Sequence, residues 1–179
     1  MAILTGKKVA LLTDNGFEEL ELTKPKEAVE AAGGIAHIVS SQADKVKSWD
    51  FTTWGPDYKV DVLLDNADPA DYDALILPGG QINPDLLRVN PKALAFIKHF
   101  IDAHKPIGAI CHAAWSLTEL DYVRGKKMTS YKSISTDMKN AGANWVDEEV
   151  VVDGKFVTSR YPDDLKAFNE TIVEVIAKG

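Results

Sequence analysis

Short apolar runs separated by helix-length stretches constrain this chain more than any other feature. KVALL at residues 8–12, IAHIV at 35–39, ALIL at 74–77 and IGAI at 107–110 carry little or no polar alternation. Runs of this length belong to strands covered on both faces, as in parallel sheets. Between the first two lies TKPKEAVEAA at residues 23–32, which reads as a helix. Thr23 is placed to cap it, Pro25 suits its first turn, and Gly33-Gly34 stop it. A second helix is expected from Asn90-Pro91 to His104, with Leu94, Ile97, Phe100 and Ile101 on its apolar side. A small-residue helix should start at His112, another should cover residues 133–141, and a closing helix residues 165–177. Residues 150–152 and 156–158 flank Asp153-Gly154, a hairpin turn. Residues 41–72 break the pattern, alternating polar and apolar positions around Gly55-Pro56, and predict a small hairpin excursion off one sheet edge. Helices following strands throughout predict an α/β sandwich on a mostly parallel sheet, as one domain over residues 1–179.

Composition removes several classes of function. Lys and Arg total 20 against 27 Asp and Glu, a net charge of −7. A nucleic-acid module normally carries a basic face, and an anionic membrane attracts basic segments. With one cysteine there is no internal disulfide, in keeping with a reducing compartment. MAILTGKK has too short an apolar stretch for a signal peptide, and no run approaches the roughly 18–20 residues of a membrane span. The expectation is a cytoplasmic protein. No GxGxxG fingerprint, P-loop lysine, HExxH or cysteine cluster occurs, so neither a cofactor nor a metal is expected.

In doubly wound sheets ligands bind beyond the carboxyl ends of the strands. That directs attention to residues 14–21, 78–85 and the Cys111-His112 pair. Cys111 stands where a buried strand meets a helix, among Gly108, Ala109, Ala113 and Ala114. Small neighbours permit the sharp turn that presents a nucleophile, and a helix N-terminus favours thiolate over thiol. A drop of the thiol pKa to roughly 5–6 would make most of it thiolate at pH 7. Gly79 and Gly80 can turn backbone N–H groups towards an oxyanion. Glu18, Glu19 and Glu21 complement a helix dipole, and one of them could instead face Cys111. Neighbouring side chains at an elbow usually diverge, so His112 is expected to serve through its backbone N–H. Trp49 and Trp54 read first as packing or subunit contacts.

DNGFEELEL, ALILPGG, PIGAICHAAW, KMTSY and DEEVVVDGKFVTSRYPDDL together resemble the PfpI-type intracellular proteases. These belong to the class I glutamine-amidotransferase-like superfamily, with the Parkinson-disease redox and deglycase proteins. The resemblance runs in order from about Lys8 to the C-terminus. It implies a flavodoxin-like three-layer sandwich with Cys111 as nucleophile and oxyanion donors from the Gly80 and His112 backbones. It implies that Glu21 contacts the sulfur with Glu18 beside it, and it makes Tyr131 of KMTSY a pocket candidate. It also implies that His112 pairs with an acidic residue from a neighbouring subunit. That position falls on Asp85, one methylene shorter than the usual glutamate, and requires a homodimer or higher homo-oligomer. No histidine follows His112, which removes the late histidine of glutaminases.

The resemblance further implies peptides, methylglyoxal or early glycation adducts on proteins as substrates. An aldehyde is more electrophilic than an amide, which favours glyoxalase or deglycase chemistry over proteolysis, in stress protection. The competing reading is a redox-sensing or chaperone-like protein in which Cys111 oxidises to sulfinate. If a thiolate sits beside Glu21, like charges push one group to its neutral form, and Glu21 is expected to hold the proton.

Overall fold

The computed structural model describes residues 2–179. The chain opens with β1 (Lys8–Leu12), a short β2 (Phe17–Glu18), α1 (Glu19–Ala31) and β3 (Ile35–Ser40). The β4 (Lys45–Asp50) and β5 (Thr53–Lys59) hairpin follows, then β6 (Val62–Leu63), β7 (Ala74–Leu77), α2 (Ile82–Arg88), α3 (Pro91–Asp102) and β8 (Ile107–Ile110). The remainder is α4 (Ala114–Thr118), β9 (Lys127–Met128), α5 (Ser135–Asn140), β10 (Asn144–Trp145), β11 (Val150–Asp153), β12 (Phe156–Ser159) and α6 (Leu165–Lys178).

A seven-stranded sheet runs in the order β11-β12-β8-β7-β1-β3-β6, parallel except where β11 pairs antiparallel with β12. The central strands explain why their sequences lack alternation. Val9 and Leu11 of β1 and Ala74 and Ile76 of β7 face a core formed with Leu22 and Val29 of α1 and Phe168, Ile172 and Ile176 of α6. Ala10, Leu12, Leu75 and Leu77 face the opposite core, with Ala93, Phe96, Ile97 and Phe100 of α3. Side chains alternate between faces with period two, and both faces are covered, so every position is apolar. Gly108 of β8 lets α6 approach, since a Cβ there would lie 2.9 Å from the Phe168 ring. Full burial of a side chain such as Phe168 stabilises the fold by about 2–3 kcal/mol.

Several local expectations are corrected. The first helix begins at Glu19 rather than Thr23, so Pro25 lies inside it and Glu21 falls in its first turn. Thr23 does not cap; its hydroxyl donates back to the Glu19 carbonyl at 3.0 Å. The β4–β5 hairpin does not extend the main sheet: it pairs through β4 with β2 in a separate three-stranded sheet. The helix after Cys111 starts with a 3-10 turn (Cys111–Ala113), and α4 has only 5 residues. The α2 helix was not foreseen, because seven residues containing a proline give no periodic signal. Asn90 caps α3, its side-chain oxygen accepting from the N–H of Lys92 and of Ala93.

Candidate active site

Adjacent strands β8, β7 and β1 deliver three loops to one end of the sheet. There they surround a cleft of about 760 Å³ whose lining includes Glu18, Glu21, Gly80, Cys111, His112 and Tyr131. Cys111 has φ +64°, the left-handed region that a side chain rarely adopts. Such a residue costs of order 1–3 kcal/mol of backbone strain and persists where surrounding structure enforces it. Here the enforcement is visible on both sides. Ile110 ends a fully buried strand, and the Cys111 carbonyl accepts from the Tyr131 N–H at 3.0 Å.

Glu21 is wholly buried beside the sulfur. One of its oxygens accepts the Gly79 N–H at 2.9 Å, and the other has no oxygen or nitrogen partner. Burial first, and then the charge of Glu18, push the Glu21 carboxyl up to about 8, against the pull of the Gly79 N–H, Cys111 and the Gly80 N–H. At neutral pH Glu21 therefore holds its proton. Burial also pushes the Cys111 thiol up, and a charged Glu21 would push it further, while the Gly80 and His112 N–H groups pull it down. The expected drop to a low thiol pKa weighed only the helix N-terminus; the following helix is short and the sulfur is buried, so desolvation opposes it. Two negative charges at this distance are costly, and the pair titrates as a unit.

His112 is also corrected. Its ring does not diverge from the cysteine: Nδ1 lies 3.1 Å from the sulfur. Nε2 meets the Ser133 hydroxyl at 3.1 Å. The ring stacks on Tyr131 at 4.8 Å between centroids and meets Trp115 edge-on. Burial lowers its pKa to about 4, so the imidazole is neutral at pH 7. Asp85 is exposed on α2 and does not line the cleft; within one chain it is not brought to His112. Gly79 is not a free oxyanion donor either, since its N–H is held by Glu21. Gly80 and His112 remain, the two residues whose backbone N–H groups pull the thiol pKa down.

Both glycines are sterically required. A Cβ on Gly79 would lie 2.6 Å from the Cys111 Cβ, and one on Gly80, at φ +78°, 2.4 Å from the Gly16 carbonyl. Asn83 locks this loop: its amide donates to the Pro78 and Gly79 carbonyls, and its oxygen accepts the Asp14 N–H at 2.7 Å. Sequence reasoning missed Asn83 and Ser133, which carry no chemical signature of their own. Trp49 packs on Trp54 as expected, and it has a second place that the sequence did not show. That ring lines the cleft, held by a bond from its Nε1 to the Phe51 carbonyl and by edge-on packing of Trp54 at 5.4 Å. Among the described residues, no group of three or more His, Cys, Asp or Glu is arranged to hold a metal ion, and no helix is long and apolar enough to cross a membrane.

The pattern of the DJ-1/PfpI family matches residues 7–175. A Bacillus subtilis protein named "Putative cysteine protease YraA" is 41% identical over 170 residues, covering 95% of this chain and 98% of that one. The Escherichia coli protein named protein/nucleic acid deglycase 2 is 40% identical over 171 residues, covering 95% and 98% respectively. Among solved structures, a two-domain Anabaena variabilis protein containing DJ-1/ThiJ/PfpI-like and ferritin-like domains is 35% identical with TM-score 0.87. That match covers 94% of this chain and 47% of the Anabaena protein.

Proposed function

As this chain belongs to the DJ-1/PfpI family, we propose that it is a cysteine-dependent enzyme acting on reactive carbonyls or glycated proteins, of glyoxalase or deglycase type. The observation that supports this reading is the protonated Glu21 beside Cys111, with a neutral His112 ring 3.1 Å from the sulfur. In the reaction on methylglyoxal, the sulfur bonds to the aldehyde carbon, its thiol proton passes to the His112 Nδ1 3.1 Å away, and the carbonyl electron pair moves to oxygen. The Gly80 and His112 N–H groups stabilise that oxygen and Glu21 gives it a proton. A proton then passes from the former aldehyde carbon to the adjacent carbon through Glu21 or His112, the hydroxyl proton of the first moves to the oxygen of the second, and the proton held on His112 restores Glu21, leaving a thioester of lactate. Water hydrolyses the thioester and regenerates the thiol, so methylglyoxal plus water gives lactate. Peptide hydrolysis is the less suited reaction. It must protonate a leaving amine, and the His112 Nε2 faces a hydroxyl where a carboxylate would stabilise an imidazolium.

We assign the activity to stress protection in the cytoplasm, carried out by a homo-oligomer. A panel of methylglyoxal, glycated peptide and unmodified peptide tests the reading on wild type beside Cys111→Ala. Lactate formed by wild type and lost at least 100-fold in the variant is the expected result. A second reading, a redox sensor, draws on the same buried lone thiol, whose sulfinate could accept the Glu21 proton in a hydrogen bond. It is the one left standing if no substrate turns over in a Cys111-dependent way.

A further inference from the structure

A neutral imidazole carries its hydrogen on one ring nitrogen, and the other nitrogen keeps a lone pair. Which nitrogen is which decides what His112 can do for the cysteine beside it. Nδ1 lies 3.1 Å from the Cys111 sulfur, and Nε2 lies 3.1 Å from the Ser133 hydroxyl oxygen. If Ser133 donated to Nε2, the hydrogen would sit on Nδ1 and the ring could only donate to the sulfur. If Ser133 accepts from Nε2, the Nδ1 lone pair faces the thiol and can take its proton.

The surroundings select the second arrangement. Burial raises the thiol pKa, so at neutral pH the sulfur holds a hydrogen that needs an acceptor. Glu21 is a poor one, because one of its oxygens takes the Gly79 N–H and the carboxyl keeps its own proton at pH 7. The His112 Nδ1 fills that role. Ser133 stands exposed, so its own hydroxyl hydrogen can go to water while its oxygen accepts. The ring is held against rotation by stacking on Tyr131 and by the edge of Trp115, whose Nε1 donates to Asp137 at 2.9 Å. Ser133 is fixed relative to the same elbow. It lies in the 3-10 turn Lys132–Ile134. Tyr131, just before that turn, donates its N–H to the Cys111 carbonyl, and Ile134 at its end is buried.

We infer that Ser133 is a positioning residue: by accepting the Nε2 hydrogen it turns the Nδ1 lone pair of His112 to the thiol and makes the histidine the base for the cysteine before it. As the sulfur attacks an electrophilic carbon, the S–H bond breaks and an Nδ1–H bond forms. The electron pair left on sulfur makes the new S–C bond. The imidazolium then donates from Nε2 to Ser133, and Asp137 is the charge that favours it. The acceptor comes from the same chain, so this step asks for no side chain from a neighbouring subunit. The effect on thiol reactivity rests on the geometry alone, and its consequence for turnover rests on the carbonyl reading of the site.

Threonine and valine share one shape and differ in the hydroxyl, so Ser133→Thr and Ser133→Val isolate it, with thermal melting to show that both fold. The first readout is the nitrogen-15 spectrum of protein labelled at its histidines, the His112 signals being those lost in His112→Asn. Wild type and Ser133→Thr should carry the hydrogen on Nε2 with a bare Nδ1, and Ser133→Val should show a mixture of the two forms. The second readout is alkylation of Cys111, the only cysteine, by iodoacetamide at pH 7. Its rate should stay within about twofold of wild type in Ser133→Thr and fall at least about threefold in Ser133→Val. In the turnover arm, kcat on methylglyoxal should be at least about tenfold lower in Ser133→Val than in Ser133→Thr, with KM little changed. A hydrogen on Nδ1 in wild type overturns the inference whatever the variants do, as does equal alkylation of the two variants. Cys111-dependent turnover that is equal in both variants overturns the positioning role and leaves the carbonyl reading intact. The expected spectra and alkylation rates, with no turnover of any carbonyl, sustain the role of Ser133 and overturn the carbonyl reading.

Discussion

At the floor of the cleft Gly79, Glu21 and Cys111 leave one another no free volume, whereas at its rim Phe51 and Tyr131 stand partly in solvent. The floor is assembled from small residues and one buried acid, locked by Asn83 and by a strained cysteine backbone. The rim is assembled from large aromatic side chains on a hairpin and loops, with Ile82 and Leu86 of α2 exposed beside it. The difference separates two tasks. Chemistry needs donors and acceptors fixed to within a fraction of an ångström, which tight packing supplies. Recognition of a carrier, or of another subunit, needs surface that is still available.

The largest expected effect comes from loosening the floor. Gly80→Ala places a Cβ 2.4 Å from the Gly16 carbonyl at a φ of +78°. Stability should fall by about 2–4 kcal/mol, from the left-handed backbone and the forced shift together. Turnover should fall at least 100-fold as the oxyanion donor moves. Urea melts and kcat measure the two, and a variant that behaves as wild type in both would mean that the floor tolerates displacement.

A smaller effect concerns the proton on Glu21. Its carboxyl titrates near 8 when folded and near 4.5 when free, so the folded state binds the extra proton and loses stability as pH rises between those values. His112 acts in the opposite sense: its folded pKa is lowered to about 4 from 6.5, so its contribution is present above 6.5 and is lost as pH falls towards 4. The two oppose each other between about 4.5 and 6.5, and only Glu21 acts from 6.5 to 8. Over that upper window wild type should lose about 1–2 kcal/mol, or roughly 3–6 °C in Tm. Glu21→Gln should show a flat Tm there. Its alkylation profile should follow a single ionisation, where wild type shows the broadened profile of a coupled pair. A wild-type Tm independent of pH over this window would place the proton elsewhere.

The smallest effect belongs to the outer side of the rim. Ile82, Leu86 and Val89 of the α2 region are exposed apolar residues flanking Asp85. If this face meets a second copy, Leu86→Glu should shift sedimentation at micromolar concentration towards the monomer without changing the melting of the floor. A wild type that already sediments as a monomer removes the assembly and, with it, any donated role for Asp85.

Strand and loop chemistry in the active region were legible to different degrees. The elbow at Cys111 and the two glycines could be read because a sharp strand-to-helix turn admits only small residues around it. Glu21 stood out only through resemblance, since a carboxyl near a helix start has an ordinary explanation in the dipole. The direction of the His112 ring, the use of the Gly79 N–H and the place of Trp49 could not be read. Each depends on a partner more than 20 residues away or on a rotamer chosen by packing.

What the sequence alone determined is the order of elements and the layering. Unbroken apolar strands such as ALIL and IGAI can be stable only between two helical layers, and that is a local property of composition and period. What only the tertiary structure decided is ionisation and access. The proton on Glu21 is set by complete burial and by the charge of Glu18, which the parallel β2–β4 ladder places opposite Trp49. Desolvation and cross-strand contact arise only when distant segments meet, so no window of residues contains them.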